Sequence, residues 1–180
     1  MKKIILLSIL FSASSFASDN HFYTGASLLV SDNTKLKSDD GSIDESNDLG
    51  FNAFGGYSFS VSPNIDLGVE LEYQHFGEAE FVDDVSVEGD AFFINARPKF
   101  IESRNNLYSA LILGVGSLEG KTNIYGESES ESEIAYQAGI EIGYMLDQID
   151  IGVGYRYRYA KFDDVDFSIQ GITAGVRYNF

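Results

Sequence analysis

Two histidines, no cysteine and a large excess of carboxylates set the chemistry open to this chain of 180 residues. Without cysteine there is no thiol nucleophile, no thiolate metal site and no disulfide. His21 and His75 lie far apart in the sequence. Neither has a serine at a strand spacing that would aim both side chains at one point, as an acyl-transfer triad requires. His75 falls in the apolar register of its segment, where its expected neighbours are interfacial aromatics. Oxygen ligands abound, at Asp39, Asp40, Asp44, Glu45, Asp48, Asp83, Asp84, Glu127, Glu129, Glu131, Glu133, Asp163, Asp164 and Asp166. None follows the spacing of a dedicated calcium loop, and no Cys/His cluster exists. The glycines that resemble a GxGxxG pattern sit in strand-like segments with no helix after them, so they form no phosphate cradle. A formal net charge of -16 opposes nucleic-acid binding. No catalytic residue, metal or cofactor is therefore assigned.

A second set of charged residues is more informative because each alternates with apolar neighbours. Glu70, Glu72, Arg97, Lys99, Glu141, Arg156, Arg158 and Arg177 all sit at period two inside apolar segments. A strand turns successive side chains to opposite faces, so these charges share one face and the apolar residues the other. Eight segments carry the pattern, at Phe22–Ser31, Leu49–Phe59, Ile65–Phe76, Ala91–Phe100, Leu107–Ser117, Ile134–Leu146, Ile149–Ala160 and Phe167–Phe180. Each is about the ~9–11 residues that a tilted strand needs to cross a bilayer. The expected fold is all-β: an eight-stranded, antiparallel, up-and-down transmembrane β-barrel with the apolar register toward lipid. The charged register then fills the lumen, which in an eight-stranded barrel is just wide enough for side chains. Glu70, Glu72 and Glu141 are expected to interleave with Arg97, Lys99, Arg156, Arg158 and Arg177 in a mixed-charge, glycine-rich interior. Glu70 is expected to face Arg97.

The ends of the chain and its connections give the orientation. Lys2 and Lys3, the apolar run Ile4–Phe11 and the small residues up to Ala17 read as a secretory signal over residues 1–17, leaving residues 18–180 as the barrel domain. The connections Ser60–Asn64, Ile101–Asn106 and Asp147–Gln148 are short, whereas Asp32–Asp48, Gly77–Asp90 and Leu118–Glu133 are long and Lys161–Asp166 is modest. Short turns on one side and long loops on the other place both termini in the periplasm and the long loops outside the cell. The acidity follows the long side: those four connections carry sixteen net negative charges, so the rest of the mature chain is nearly neutral. Glu127–Glu133 alternates Glu with Ser and reads as a solvated, mobile loop. Aromatics sort into two belts, Phe22, Tyr57, Phe59, Phe100, Tyr144, Tyr178 and Phe180 at one end and Tyr73, Phe92, Tyr136, Tyr157 and Tyr159 at the other.

On these residues the chain resembles a known family. NDLGFNAFGGYSF, followed by a short turn and IDLGVELEYQHFG, is similar to the second and third strands of the OmpA-type transmembrane domain. Arg97 stands where that family carries a luminal lysine, and Glu70 matches its luminal glutamate. GYRYRYAKF and GITAGVRYNF resemble the final hairpin of the wider group of small outer-membrane barrels, including opacity-type and adhesin surface proteins. The resemblance implies that Tyr178 and Phe180 belong to the signal read by the barrel-insertion machinery. It also implies outer-membrane lipid and lipopolysaccharide as surroundings. No peptidoglycan-binding domain is expected after Phe180. The expected role is non-enzymatic: acidic extracellular loops serving envelope integrity, or adhesion to a host or cell-surface ligand. The competing expectations are an outer-membrane lipid-modifying enzyme and a small gated pore.

Overall fold

The computed structural model describes residues 20–38, 41–46, 49–82, 85–102, 104–124, 127–162 and 165–180. The signal segment 1–17 and Asp39, Asp40, Asp48, Asp83, Asp84, Asp163 and Asp164 lie outside the described residues. Among the described residues nine β-strands and no helix form: β1 (His21–Ser38), β2 (Gly41–Ser46), β3 (Gly50–Ser62), β4 (Ile65–Val82), β5 (Val85–Glu102), β6 (Leu107–Ile124), β7 (Glu127–Leu146), β8 (Ile149–Phe162) and β9 (Val165–Asn179). All ladders are antiparallel; β1 pairs with both β2 and β3, each later strand pairs with the next, and β1 pairs with β9 to close the sheet into an eight-stranded barrel. The ninth strand, β2, is not a separate wall element. It pairs with β1 from Asn33↔Ser46 to Ser38↔Gly41, in the register that β3 holds from His21↔Ser58 to Leu29↔Gly50. β2 is thus the far half of the second wall strand, interrupted before Gly50.

Following ladder partners from Gly25 through Phe54, Glu72, Phe93, Gly116, Ala135, Ala160 and Phe167 returns to β1 at Leu36. The offset is eleven residues, one of them Val30, which the β1–β9 ladder skips as a bulge. With ~3.3 Å rise and ~4.8 Å strand spacing, that shear tilts the strands by roughly 40°. The bulge also flips the parity of β1, so Leu29 and Thr34 are both buried.

The strands outrun the apolar alternation. Most of the residues expected as long loops are ladder: β4 and β5 pair up to Val82↔Val85, and β6 and β7 up to Ile124↔Glu127. The Glu-Ser repeat expected as a mobile loop lies in β7. A hairpin needs only backbone partners to continue, and an alternating polar sequence supplies them as well as an apolar one. The opposite, proximal end holds the start of β1, the end of β9 and the short turns. Asp147 opens the two-residue β7–β8 turn at φ 52°, in the left-handed region that Asp tolerates. The Phe180 N–H donates to the Phe22 carbonyl at 2.9 Å, carrying the closure to the last residue.

The outside of the wall is apolar. Leu71, Ile94, Ile142 and Val153 are more than half exposed, as are many of their neighbours. Aromatic rings cluster at each rim: Phe22–Tyr57 at 4.7 Å and Tyr57–Phe59 at 4.9 Å proximally, Tyr73–Phe92 at 5.0 Å distally. Such a continuous apolar surface needs an apolar solvent.

Inside, glycines make room for rings that cross the lumen. The Tyr108 ring lies over Gly143 and Gly152, and Tyr23 lies over Gly56 and Gly68. A Cβ at Gly143 would sit 2.5 Å from the Tyr108 ring, far inside van der Waals contact. Gly143→Ala should therefore lower stability by about 1–3 kcal/mol, the usual cost of overpacking. Gly55→Ala is the control, because a Cβ there meets only the Tyr23 carbonyl at 3.8 Å. Urea unfolding in phospholipid vesicles checks this; equal midpoints for the two variants would contradict it.

Candidate functional site

The lumen gathers the charges that the alternation marked. Glu70, Glu72, Arg97, Lys99, Arg156, Arg158 and Arg177 are buried, and the Glu141 side chain is only 11% exposed. Asp66 and Asp150 join them, so among the described residues five luminal cations meet five luminal anions. Buried charge is tolerable only when it is paired and hydrogen-bonded. Eight of these charges pair in three tiers, while the Nε atoms of Arg97, Arg156 and Arg177 are buried without a hydrogen-bond partner.

Nearest the proximal mouth, Lys99 Nζ donates to Asp150 Oδ2 at 2.7 Å. One step deeper, Glu141 Oε1 accepts from Arg97 Nη2 at 2.6 Å, from the Tyr108 hydroxyl at 2.8 Å and from Arg177 Nη1 at 3.3 Å. Arg177 Nη2 also reaches Glu70 Oε2 at 3.6 Å. Aromatic faces sheathe these cations: Lys99 lies 4.6 Å from the Tyr108 centroid, and Arg177 lies 4.8 Å from Phe54 and 5.1 Å from Tyr23. At mid-height Glu72 is saturated. Oε1 accepts from Arg156 Nη1 at 2.5 Å and Asn52 Nδ2 at 2.7 Å, while Oε2 accepts from Asn95 at 2.6 Å and Gln137 at 3.1 Å.

Three expectations need correction. Glu70 does not face Arg97: the ladder sets Gly68 opposite Arg97 and Asn95 opposite Glu70. Arg97 instead reaches past β6 to Glu141 on β7, because strand tilt brings residues of non-adjacent strands to one height. Secondly, the interior is not charged throughout. Above Arg158, which lies over the Phe76 ring at 5.5 Å, the lumen is filled by Leu29, Phe76, Phe93, Leu118, Phe167 and Ile169. This apolar layer sits at the inward parity of strands whose flanks are acidic, so a search for charge passes over it. Thirdly, Tyr108 and Asp150 were missed. Both stand one residue inside a strand start and in the inward register, where carrying the alternation to the strand ends reveals them.

A void of about 10 Å³ beside Ser27, Tyr108, Glu141, Asp150 and Arg177 has room for about one water. The two histidines lie at opposite rims. On the outer wall His75 Nδ1 is 2.9 Å from Asp90 Oδ1, which also accepts from the Tyr73 hydroxyl at 2.7 Å. His21 stands across from Ser58 in the β1–β3 ladder, a neighbour the sequence did not indicate. Tyr178 and Phe180 are exposed on the proximal exterior, their centroids 5.0 Å apart. Among the described residues no group of three or more His, Cys, Asp or Glu side chains is placed to hold a metal ion.

Glu72 and Arg156 are both essentially inaccessible, which makes them the sharpest test of the luminal pairing. Glu72→Gln or Arg156→Met alone leaves a buried charge without its counter-ion and should cost about 3–5 kcal/mol. The double variant should cost clearly less than the sum. A double-mutant cycle measured by urea unfolding in vesicles gives the coupling, and strictly additive effects would refute the pairing.

A family model for the outer membrane protein beta-barrel domain matches residues 4–180. No curated protein matches the sequence. Among solved structures, Neisserial surface protein A superposes with a TM-score of 0.65 at 18% identity, covering 91% of this chain and 100% of its own. Ail, the attachment invasion locus protein of Yersinia pestis, superposes at 0.58 with 20% identity, covering 89% and 99%. Ail has also been solved with the heparin analogue sucrose octasulfate. The outer membrane protease OmpT of Escherichia coli superposes at 0.52 with 10% identity, covering 94% and 99%. At these identities the likeness to solved structures is one of fold. The match over nearly the whole sequence, the closed eight-stranded wall, the apolar exterior and the buried luminal charges agree: the chain belongs to the outer-membrane β-barrel domain family, and its barrel resides in the outer membrane.

Proposed function

We propose that this protein is a non-enzymatic surface barrel whose distal hairpins carry an adhesive or surface-interaction role. The observation that carries this reading is the distribution of charge. The lumen balances five cations against five anions among the described residues, so the excess acidity sits beyond the apolar band, on the distal hairpins. In this reading residues 1–17 are a cleaved signal, the termini and short turns face the periplasm, and the hairpins project from a surface of lipopolysaccharide. Tyr178 and Phe180 form the segment read by the insertion machinery. Their exposure on the outer wall supports it, because a signal must be accessible before the barrel closes.

The sign of the charge also selects partners. Ail has been solved with a polyanion, a heparin analogue. The acidic rim here repels polyanions and attracts cations. Divalent cations screen the hairpins from one another and bridge them to lipopolysaccharide phosphates.

Two measurements test this reading. The first compares cell and matrix binding with and without chelator, at equal surface abundance, for the wild type and a variant with Asp39, Asp40, Asp83, Asp84, Glu129 and Glu131 neutralised. Binding should fall several-fold on chelation and on neutralisation, while the barrel still assembles. Identical binding in all four conditions would remove the acidic hairpins from the function and leave envelope integrity as the role. The second deletes Phe180. Assembled protein in outer membranes should drop several-fold, with the unfolding midpoint of the assembled fraction nearly unchanged. Unchanged assembly would contradict the insertion-signal role.

A further inference from the structure

Beyond the apolar band the barrel wall splits. β7 is paired with β6 from Tyr144 to Glu127, but its ladder with β8 stops at Ala135↔Ala160. β8 itself continues against β9 to Phe162↔Val165. Among the described residues the stretch Glu127–Ile134 is thus a strand with a ladder on one side only. In an antiparallel strand every second residue directs both its N–H and its C=O to the same side. Eight residues therefore present about four donor–acceptor pairs to solvent along one straight edge. No proline or glycine interrupts it.

An open edge is ordinarily a liability that pairs with whatever strand comes by. Here the composition restricts the choice. Glu127, Glu129, Glu131 and Glu133 occupy alternate positions, with serines between them. Two copies meeting edge to edge would set glutamates against glutamates, and like charges directly opposite destabilise a ladder. The same charge repels polyanions. The stretch is too polar for the bilayer, whose apolar band ends near Ile134. A strand with basic residues at alternate positions meets neither obstacle.

We propose that the β7 edge Glu127–Ile134 docks an extended cationic peptide segment, which adds an antiparallel strand to the split wall. Main-chain hydrogen bonds supply the affinity, and lysines or arginines opposite the glutamates supply the selectivity. This rests on the reading of the distal hairpins as an interaction surface and specifies which part of them binds and what it binds.

The test uses the whole barrel in lipid nanodiscs and a fluorescent twelve-residue peptide of alternating Lys and Thr, with binding followed by anisotropy. Two further peptides keep the sequence and charge but carry N-methyl groups, one on every Lys amide and the other on every Thr amide. Only one of these frames removes the donors that face β7. That peptide should bind about tenfold or more weakly than the parent, a loss of about 1.4 kcal/mol, while the other binds nearly as well. The variant E127Q/E129Q/E131Q/E133Q, shown to be folded by its shift on gels with and without heating, should also bind the parent more weakly. If both methylated peptides bind like the parent, diffuse charge attraction is at work; the docking edge is then refuted and the adhesive reading survives. Absence of binding by any peptide, with chelator-sensitive cell adhesion intact, likewise refutes the edge alone. If neither peptide binding nor adhesion is found, both readings fall.

Discussion

No backbone amide can be left without a partner in hydrocarbon, and the meeting of β1 with β9 is what satisfies that constraint here. Closure at this shear fixes the tilt and hence the bore, and an eight-stranded bore has no room for bulk water. Everything that points inward must then solvate everything else that points inward. That is why Glu72 takes four donors from four different strands, and why Arg97, Arg177 and Tyr108 converge on Glu141. It is also why glycines face Tyr23 and Tyr108: a tyrosine ring laid across the lumen needs bare backbone on the facing strands.

The same constraint divides the molecule by charge. A lumen with no room for bulk water favours near-neutrality, whereas the distal hairpins have solvent and carry the acidity. The barrel is shared with proteins as different as NspA, Ail and the protease OmpT. A scaffold common to an attachment protein and a protease does not dictate activity. Beyond the apolar band this chain carries two long acidic hairpins, and among the described residues β7 has a ladder on one side only above Ala135.

Period two made the eight wall strands, their inward charges and the apolar exterior legible in the sequence, because both faces of a membrane barrel strand have strict solvents. Pairing between strands that share no ladder was not legible. The Arg97–Glu141 contact joins β5 to β7, and only the shear decides which residues share a height. Period two marks a face but not a depth, so the apolar layer of Phe76, Phe93 and Leu118 lay hidden among inward positions. The hairpin lengths were under-read for a related reason. The apolar alternation ends where the membrane ends, near Ile134, but the β6–β7 ladder continues for seven further residues to Glu127 on backbone hydrogen bonds alone. The bulge at Val30 reverses parity within β1, which no residue type announces.

Residue-resolved amide hydrogen exchange of the assembled barrel in nanodiscs tests the central claim, a wall sealed by its own ladders up to a split at Ala135, most directly. The β1–β9 seam from Tyr23 to Leu29 should be as protected as the interior ladders, with slow exchange that persists around the whole circumference. Above Ala135 protection in β7 should alternate, slow at residues bonded to β6 and fast at those facing the split. Rapid exchange along the seam would show that the barrel is not closed as described. Uniform protection from Glu127 to Ile134 would show that the wall does not split.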